Sequence, residues 1–207
     1  MKFAATARRT GAVILLLSTS LLGGCFIAEG DEADPIIPDA TLAYPMKMGA
    51  GKECTESTDQ DPTCNRALFE KLPDGGYSIT IWTVDDDGSE SEGEPSQYRL
   101  RLLKGAGVPA ATFLVQEVSY DEAQRYLGLL RKRPEGGWLR ISPNCDKLTP
   151  DAFVEFMTAG WLSTEEGTTL NGMTCAIVRS GLDDARLYQI LSAAKPDDDP
   201  TVLYDGG

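Results

Sequence analysis

Tyr77-Ser78-Ile79-Thr80-Ile81-Trp82 alternates large apolar residues with small polar ones. That is the period of a strand with one buried face. Pro73-Asp74-Gly75-Gly76 stands before it as a turn. Working outward, Tyr98, Leu100 and Leu102 alternate with Arg99, Arg101 and Leu103 as a second strand, and Lys104-Gly105-Ala106-Gly107 turns the chain. Thr112 to Val118 reads as a third strand. Ser119-Tyr120-Asp121-Glu122 resembles a helix capping box, and Ala123, Tyr126, Leu127 and Leu130 follow at helical spacing. The hairpin reading is preferred: Tyr126–Arg131, a Pro134-Glu135-Gly136-Gly137 turn, then Trp138–Ile141. The expected fold is α+β, an antiparallel meander of about five strands with two helices in the C-terminal third; a small β-barrel is the alternative.

The turns at 73–77 and 134–138 are alike, Pro-acid-Gly-Gly-aromatic in both. Shared hairpin chemistry is the preferred explanation, since Gly-Gly supplies positive φ. An internal duplication is the alternative. Before the first turn, Asn65 reads as the cap of a short helix through Arg66–Leu72. Beyond the hairpin, Thr149-Pro150-Asp151 is a helix start with proline in the first turn. Phe153, Phe156, Met157 and Trp161 form its apolar stripe and Gly160 closes it. Met173–Val178 reads as a strand. Ser180-Gly-Leu-Asp183 opens a second helix whose buried face is Ala185, Leu187, Tyr188, Leu191 and Ala194, and Pro196 stops it.

The chain begins with Lys2, Arg8 and Arg9, then an apolar run from Gly11, and ends that run with Leu22-Gly23-Gly24-Cys25. This is the layout of a secretory signal, and the run is too short to span a bilayer. Leu22–Cys25 resembles the lipobox of bacterial lipoproteins. The resemblance implies removal of residues 1–24, a lipidated (palmitate-type) Cys25, and a place in the cell envelope. Phe26 follows the cysteine where an aspartate would favour the inner membrane, so the resemblance leans to the outer membrane, on its periplasmic or surface face. Residues 25–41 are acidic, with Pro35 and Pro38, and read as a tether. A single domain is expected over 42–196, with an acidic tail at 197–207.

The formal charge of −13 becomes more negative once Lys2, Arg8 and Arg9 leave. Nucleic acid is excluded as a partner, and attachment to a membrane must come through the lipid. The 207 residues contain no histidine. Catalysis by Ser-His-Asp or Cys-His is therefore excluded, as are H-E-x-x-H metal sites. Four cysteines remain beside Cys25, and an exported chain would pair them as two disulfides. Cys54–Cys64 and Cys145–Cys175 are the preferred pairs of the three possible connectivities; zinc is the alternative.

Two further features bear on function. In Thr83–Glu94, Asp85, Asp87 and Glu94 fall at calcium-ligand positions of an EF-hand loop, with Gly88 at the tight turn. Thr83 replaces the first aspartate and the flanks are strands, so a solvated acidic hairpin is preferred and no cofactor is expected. The aromatics Tyr77, Trp82, Tyr98, Tyr126 and Trp138 are read as core or as the lining of a concave face. The expected function is a non-enzymatic, lipid-anchored envelope protein with an envelope protein partner. A carrier of a lipid or glycan is one alternative, and a carboxylate-dependent hydrolase of an envelope polymer is another.

Overall fold

A computed structural model describes residues 25–28, 36–56, 61–85, 87–118, 125–164, 174–178, 182–196 and 199–206. The expected signal peptide at 1–24, the capping motif at 119–122 and Ser180 lie outside these. The strands are β1 (Phe26–Ala28), β2 (Gly49–Thr55), β3 (Thr63–Lys71), β4 (Tyr77–Val84), β5 (Glu90–Glu92), β6 (Ser96–Leu102), β7 (Thr112–Val118), β8 (Arg125–Lys132) and β9 (Trp138–Ile141). Then follow α1 (Pro150–Thr158), β10 (Leu162–Thr164), β11 (Cys175–Ile177), α2 (Asp184–Ala193) and β12 (Thr201–Tyr204).

Taken in chain order, β2, β3, β4, β6, β7, β8, β9 and β12 each pair antiparallel with the next, and β12 returns to β2. The result is a closed eight-stranded up-and-down barrel. The barrel alternative therefore holds in place of the open five-strand meander. Three strands account for the difference: β2, for which no strand is expected, β3 and β12. The helix expected over Arg66–Leu72 is part of β3: Ala67 and Phe69 point inward and are buried, while Arg66 and Glu70 face out. Half-buried Leu68 fills the gap between them and makes an alternating strand look helical. The tail expected at 197–207 contains the closing strand, with Val202 and Leu203 at 0% and 2% exposure.

The barrel is a repeat. Its first half is β2, β3, β4 and β6; its second is β7, β8, β9 and β12. Gly49↔Phe69 and Cys54↔Cys64 in the first half match Phe113↔Leu130 and Val118↔Arg125 in the second. Lys71↔Tyr77 matches Lys132↔Trp138, and Tyr77↔Tyr98 matches Trp138↔Leu203. Tyr98↔Glu117 and Leu203↔Glu53 exchange places across the two seams between halves. Every ladder thus obeys one two-fold relation. Leu68, Lys71, Pro73, Gly75, Gly76 and Pro95 have identical counterparts in Leu129, Lys132, Pro134, Gly136, Gly137 and Pro200. Both turns use positive φ at both glycines and close with the same pair of backbone bonds. The two like turns thus fall at equivalent places of a two-fold barrel, and their glycines take the positive φ that hairpin chemistry requires. Insertions that differ in length, β5 in one half and residues 142–200 in the other, hide the repeat from a fixed-offset comparison.

Two cores result. Phe69, Tyr77, Ile79, Tyr98, Leu100, Phe113, Val115, Leu130 and Trp138 fill the barrel. The outer faces of β7 and β8 contribute Leu114, Leu127 and Leu129 to a second core, with Phe156 of α1, Ile190 and Leu191 of α2, and Ile177 of β11. Thr149 caps α1 by accepting from the Ala152 amide, as expected. For α2 the cap is Asp183 itself, which accepts from the Arg186 amide. The expected tether at 25–41 is in part built into this layer. β1 pairs parallel with β11 and antiparallel with β8. Phe26 is 1% exposed and Ile37 is fully buried, with its carbonyl accepting from the Arg99 guanidinium. Acidic composition around the prolines masked these two apolar anchors.

Candidate functional site

In an up-and-down barrel alternate connections share an end. The short turns at 73–76 and 133–137 therefore lie at one end, and the connections β2–β3, β4–β6, β7–β8 and β9–β12 at the other. Glu53, Glu117 and Arg140 sit near the C-terminal ends of β2, β7 and β9, towards the long-connection end. All three have the inward parity of their strands. Arg140 lies 3.5 Å from the Glu53 Oε1 atom and donates to the Tyr98 hydroxyl at 2.9 Å. That hydroxyl donates in turn to Glu117 at 3.2 Å. Glu53 and Glu117 are equivalent positions of the repeat; Arg140 has Ile79 as its counterpart and Tyr98 has Leu203. One half thus supplies the cation and the other the phenol that together hold a symmetric carboxylate pair.

Burial raises the Glu53 carboxyl above its ordinary value; attraction to Arg140 offsets part of this, and repulsion from Glu117 adds to it. Burial likewise keeps the Tyr98 phenol neutral. Two carboxylates share one guanidinium, so the cluster is short of positive charge. Beside it lies a cavity of about 40 Å³ lined by Cys25, Tyr126, Glu117 and Arg140 among others. That volume holds a few waters and no sugar ring. A wider open cleft, about 460 Å³, runs between Ala106–Gly107 and α2, where Asp183, Arg186, Tyr188 and Gln189 line it.

Cys25 is in neither disulfide. It forms a β-bridge with Asn144, and its carbonyl accepts from the Cys175 amide at 3.1 Å. Cys54–Cys64 crosses directly between β2 and β3, and Cys145–Cys175 ties the segment after β9 to β11. Both preferred pairs are present. Asp85 and Asp87 come together in a tight turn between β4 and β5, where both accept from the Ser89 hydroxyl and Asp87 also accepts its amide. These bonds hold Asp87 below the usual carboxylate range. Glu94 lies beyond β5, so the turn closes before the chain reaches it. Among the described residues no group of three or more acids or cysteines is placed to hold a metal ion.

Of the aromatic set, Tyr77, Tyr98 and Trp138 are barrel core, Tyr126 is half-buried on β8, and Trp82 lies under the Arg66 guanidinium, 4.1 Å from its ring centre. The Glu53–Arg140–Tyr98–Glu117 cluster was not found by motif. Its signal is a charge at an inward parity position, visible once Glu117 is set against Phe113 and Val115. No family model, curated protein or solved structure matches the chain.

Proposed function

We propose that this chain is a lipid-anchored protein of the cell envelope, acylated on Cys25, that acts by presenting a rigid domain to an envelope protein partner. One observation carries the choice among the three expected functions: the barrel is filled by its own aromatics. An eight-stranded barrel is wide enough either to be filled by side chains or to hold one small ligand. Here Phe69, Tyr77, Tyr98, Phe113 and Trp138 are each 8% exposed or less, and Phe113 and Trp138 meet edge to face at 5.8 Å. A carrier needs that volume empty. The acidic surface and the absence of histidine remove nucleic acid and the commonest catalytic constellations from consideration. The lipobox-like Leu22–Cys25 supports the address, with the outer membrane favoured.

The carboxylate-dependent hydrolase keeps a place as the second reading because Glu53 and Glu117 lie beside a cavity. That cavity, about 40 Å³, has no room for a sugar ring, and this ranks the hydrolase below the binding role.

The test is made in cells. Metabolic labelling with an alkyne fatty acid is expected to mark the natural chain and not Cys25→Ser, and the variant should leave the membrane fraction. Crosslinking in intact envelopes should then capture one abundant protein with the acylated form only. Equal labelling of both forms overturns the anchor. An acylated chain with no crosslinked partner overturns the binding role and returns weight to the hydrolase.

A further inference from the structure

The position of Cys25 has a consequence for how the domain stands on a membrane. A flexible leash over 25–41 would let the domain roam roughly 20–25 Å from its lipid, by the ~5–6 Å × √n scaling of flexible chains. Among the described residues no such leash separates Cys25 from the domain. Cys25 bridges Asn144, its carbonyl is bonded to Cys175, and the next side chain, Phe26, is buried. β1 is held on both edges, by β8 and β11. The Cys145–Cys175 disulfide locks together the two segments that grip Cys25.

The register also says which end this is. Ile27 pairs with Tyr126, at the start of β8, whereas the 133–137 turn follows Lys132 at its finish. The strand separates the two by roughly 20 Å at ~3.3 Å per residue. By the two-fold repeat the 73–76 turn shares the far end. Exposed Lys147 and Lys195 flank the Cys25 end: the Lys195 carbonyl accepts from the Asn144 amide, and the Lys147 amide donates to the Asn144 carbonyl. Asp146, next to Lys147 in sequence, is exposed as well, so the acyl chains and not local charge must supply the attachment.

We infer that the Cys25 end of the barrel lies flush against the bilayer, with Lys147 and Lys195 at the headgroups and the turns at 73–76 and 133–137 pointing away. This rests on the acylation proposed above. The barrel wall is then the surface offered sideways to a partner, and the turn end is offered outward.

The experiment uses the full acylated chain in phosphatidylethanolamine–phosphatidylglycerol vesicles that contain brominated lipid. A fluorescent amino acid is placed in turn at Lys195 and at Asp74, which are both exposed. Mass spectrometry of the N-terminal peptide first establishes whether Cys25 carries lipid; its absence defeats the anchor and leaves nothing to orient. With lipid present, quenching at position 195 should exceed that at 74 severalfold. A flexible Gly-Ser segment inserted between Cys25 and Phe26 should keep vesicle binding and abolish the contrast. Equal quenching at the two positions in the uninserted, acylated chain overturns the flush orientation.

Discussion

The two halves of the barrel share every strand register and almost none of their surroundings. Lys52, Arg66 and Ala50 are exposed on the first half; their counterparts Gln116, Leu127 and Leu114 are 1%, 3% and 0% exposed. Leu68 is half-buried and its equivalent Leu129 is at 1%. The same backbone thus carries a wet outer face in one half and a covered one in the other. The difference lies in the insertion between β9 and β12, whose helices pack on β7 and β8. Register follows from turn chemistry and from the alternation that fills the barrel. The outer face is free to follow whatever covers it.

Substitutions at equivalent positions sharpen this contrast. The first comparison is at the barrel mouth. Arg140→Ala leaves half-buried Glu53 and Glu117 without their cation and should cost about 3 kcal/mol at neutral pH. Ile79→Val, at the equivalent site, should cost about 0.5–1.5 kcal/mol. Urea unfolding of both variants measures the pair, and equal losses would mean that the cluster contributes nothing special. Next, Leu129→Ala should cost about 2–5 kcal/mol and Leu68→Ala less than ~1 kcal/mol. Similar values would show that the helices do not cover the second half in solution.

The disulfides divide along the same line. Loop closure predicts that replacing Cys145 and Cys175 by serine costs about 3–4 kcal/mol, against about 2–3 kcal/mol for Cys54 and Cys64. The spans are 30 and 10 residues. Thermal unfolding of each double variant gives the order.

The smallest effect is Glu53→Gln. The raised carboxyl means that, as pH climbs past 4.5, the folded state keeps its proton after the unfolded chain has begun to release its own. The associated stability is complete below the ordinary value of 4.5 and is lost as pH rises through the folded value. Glu53→Gln should therefore be neutral to slightly stabilising at pH 7 and should flatten the stability–pH curve above 4.5. A variant less stable at pH 7 would mean that the charged form is favoured by its surroundings.

Much of the second half was legible in sequence. β7 was placed at its observed bounds, and the β8–β9 hairpin and α1 followed from turn and cap residues that act locally. The first half was harder. Gly49-Ala50-Gly51-Lys52-Glu53 offers no large apolar residue, because Gly51 lies where a Cβ would meet the Tyr204 carbonyl at 2.3 Å and the Phe69 ring at 2.5 Å. A strand chosen for how closely its neighbours approach carries no hydrophobic signature. β12 was missed for a different reason. Its short Thr-Val-Leu-Tyr run follows an acidic stretch, and only its two partners identify it. The mouth cluster escaped because each charge reads as surface until its strand's parity is known. Its motif singles out Cys25, but the hydrogen bond that its carbonyl accepts from the Cys175 amide depends on a strand far along the chain.

The barrel's last seam has a consequence for the chain's early life. β12 is the clasp between β2 and β9, and it follows every other barrel strand along the chain. A ribosome therefore makes it after them, so β2 and β9 wait with open edges until residues 201–204 emerge. A chain cut before Thr201 keeps the earlier barrel strands and has no way to shut. Its two raw borders are then available to any protease or to a second unclosed chain.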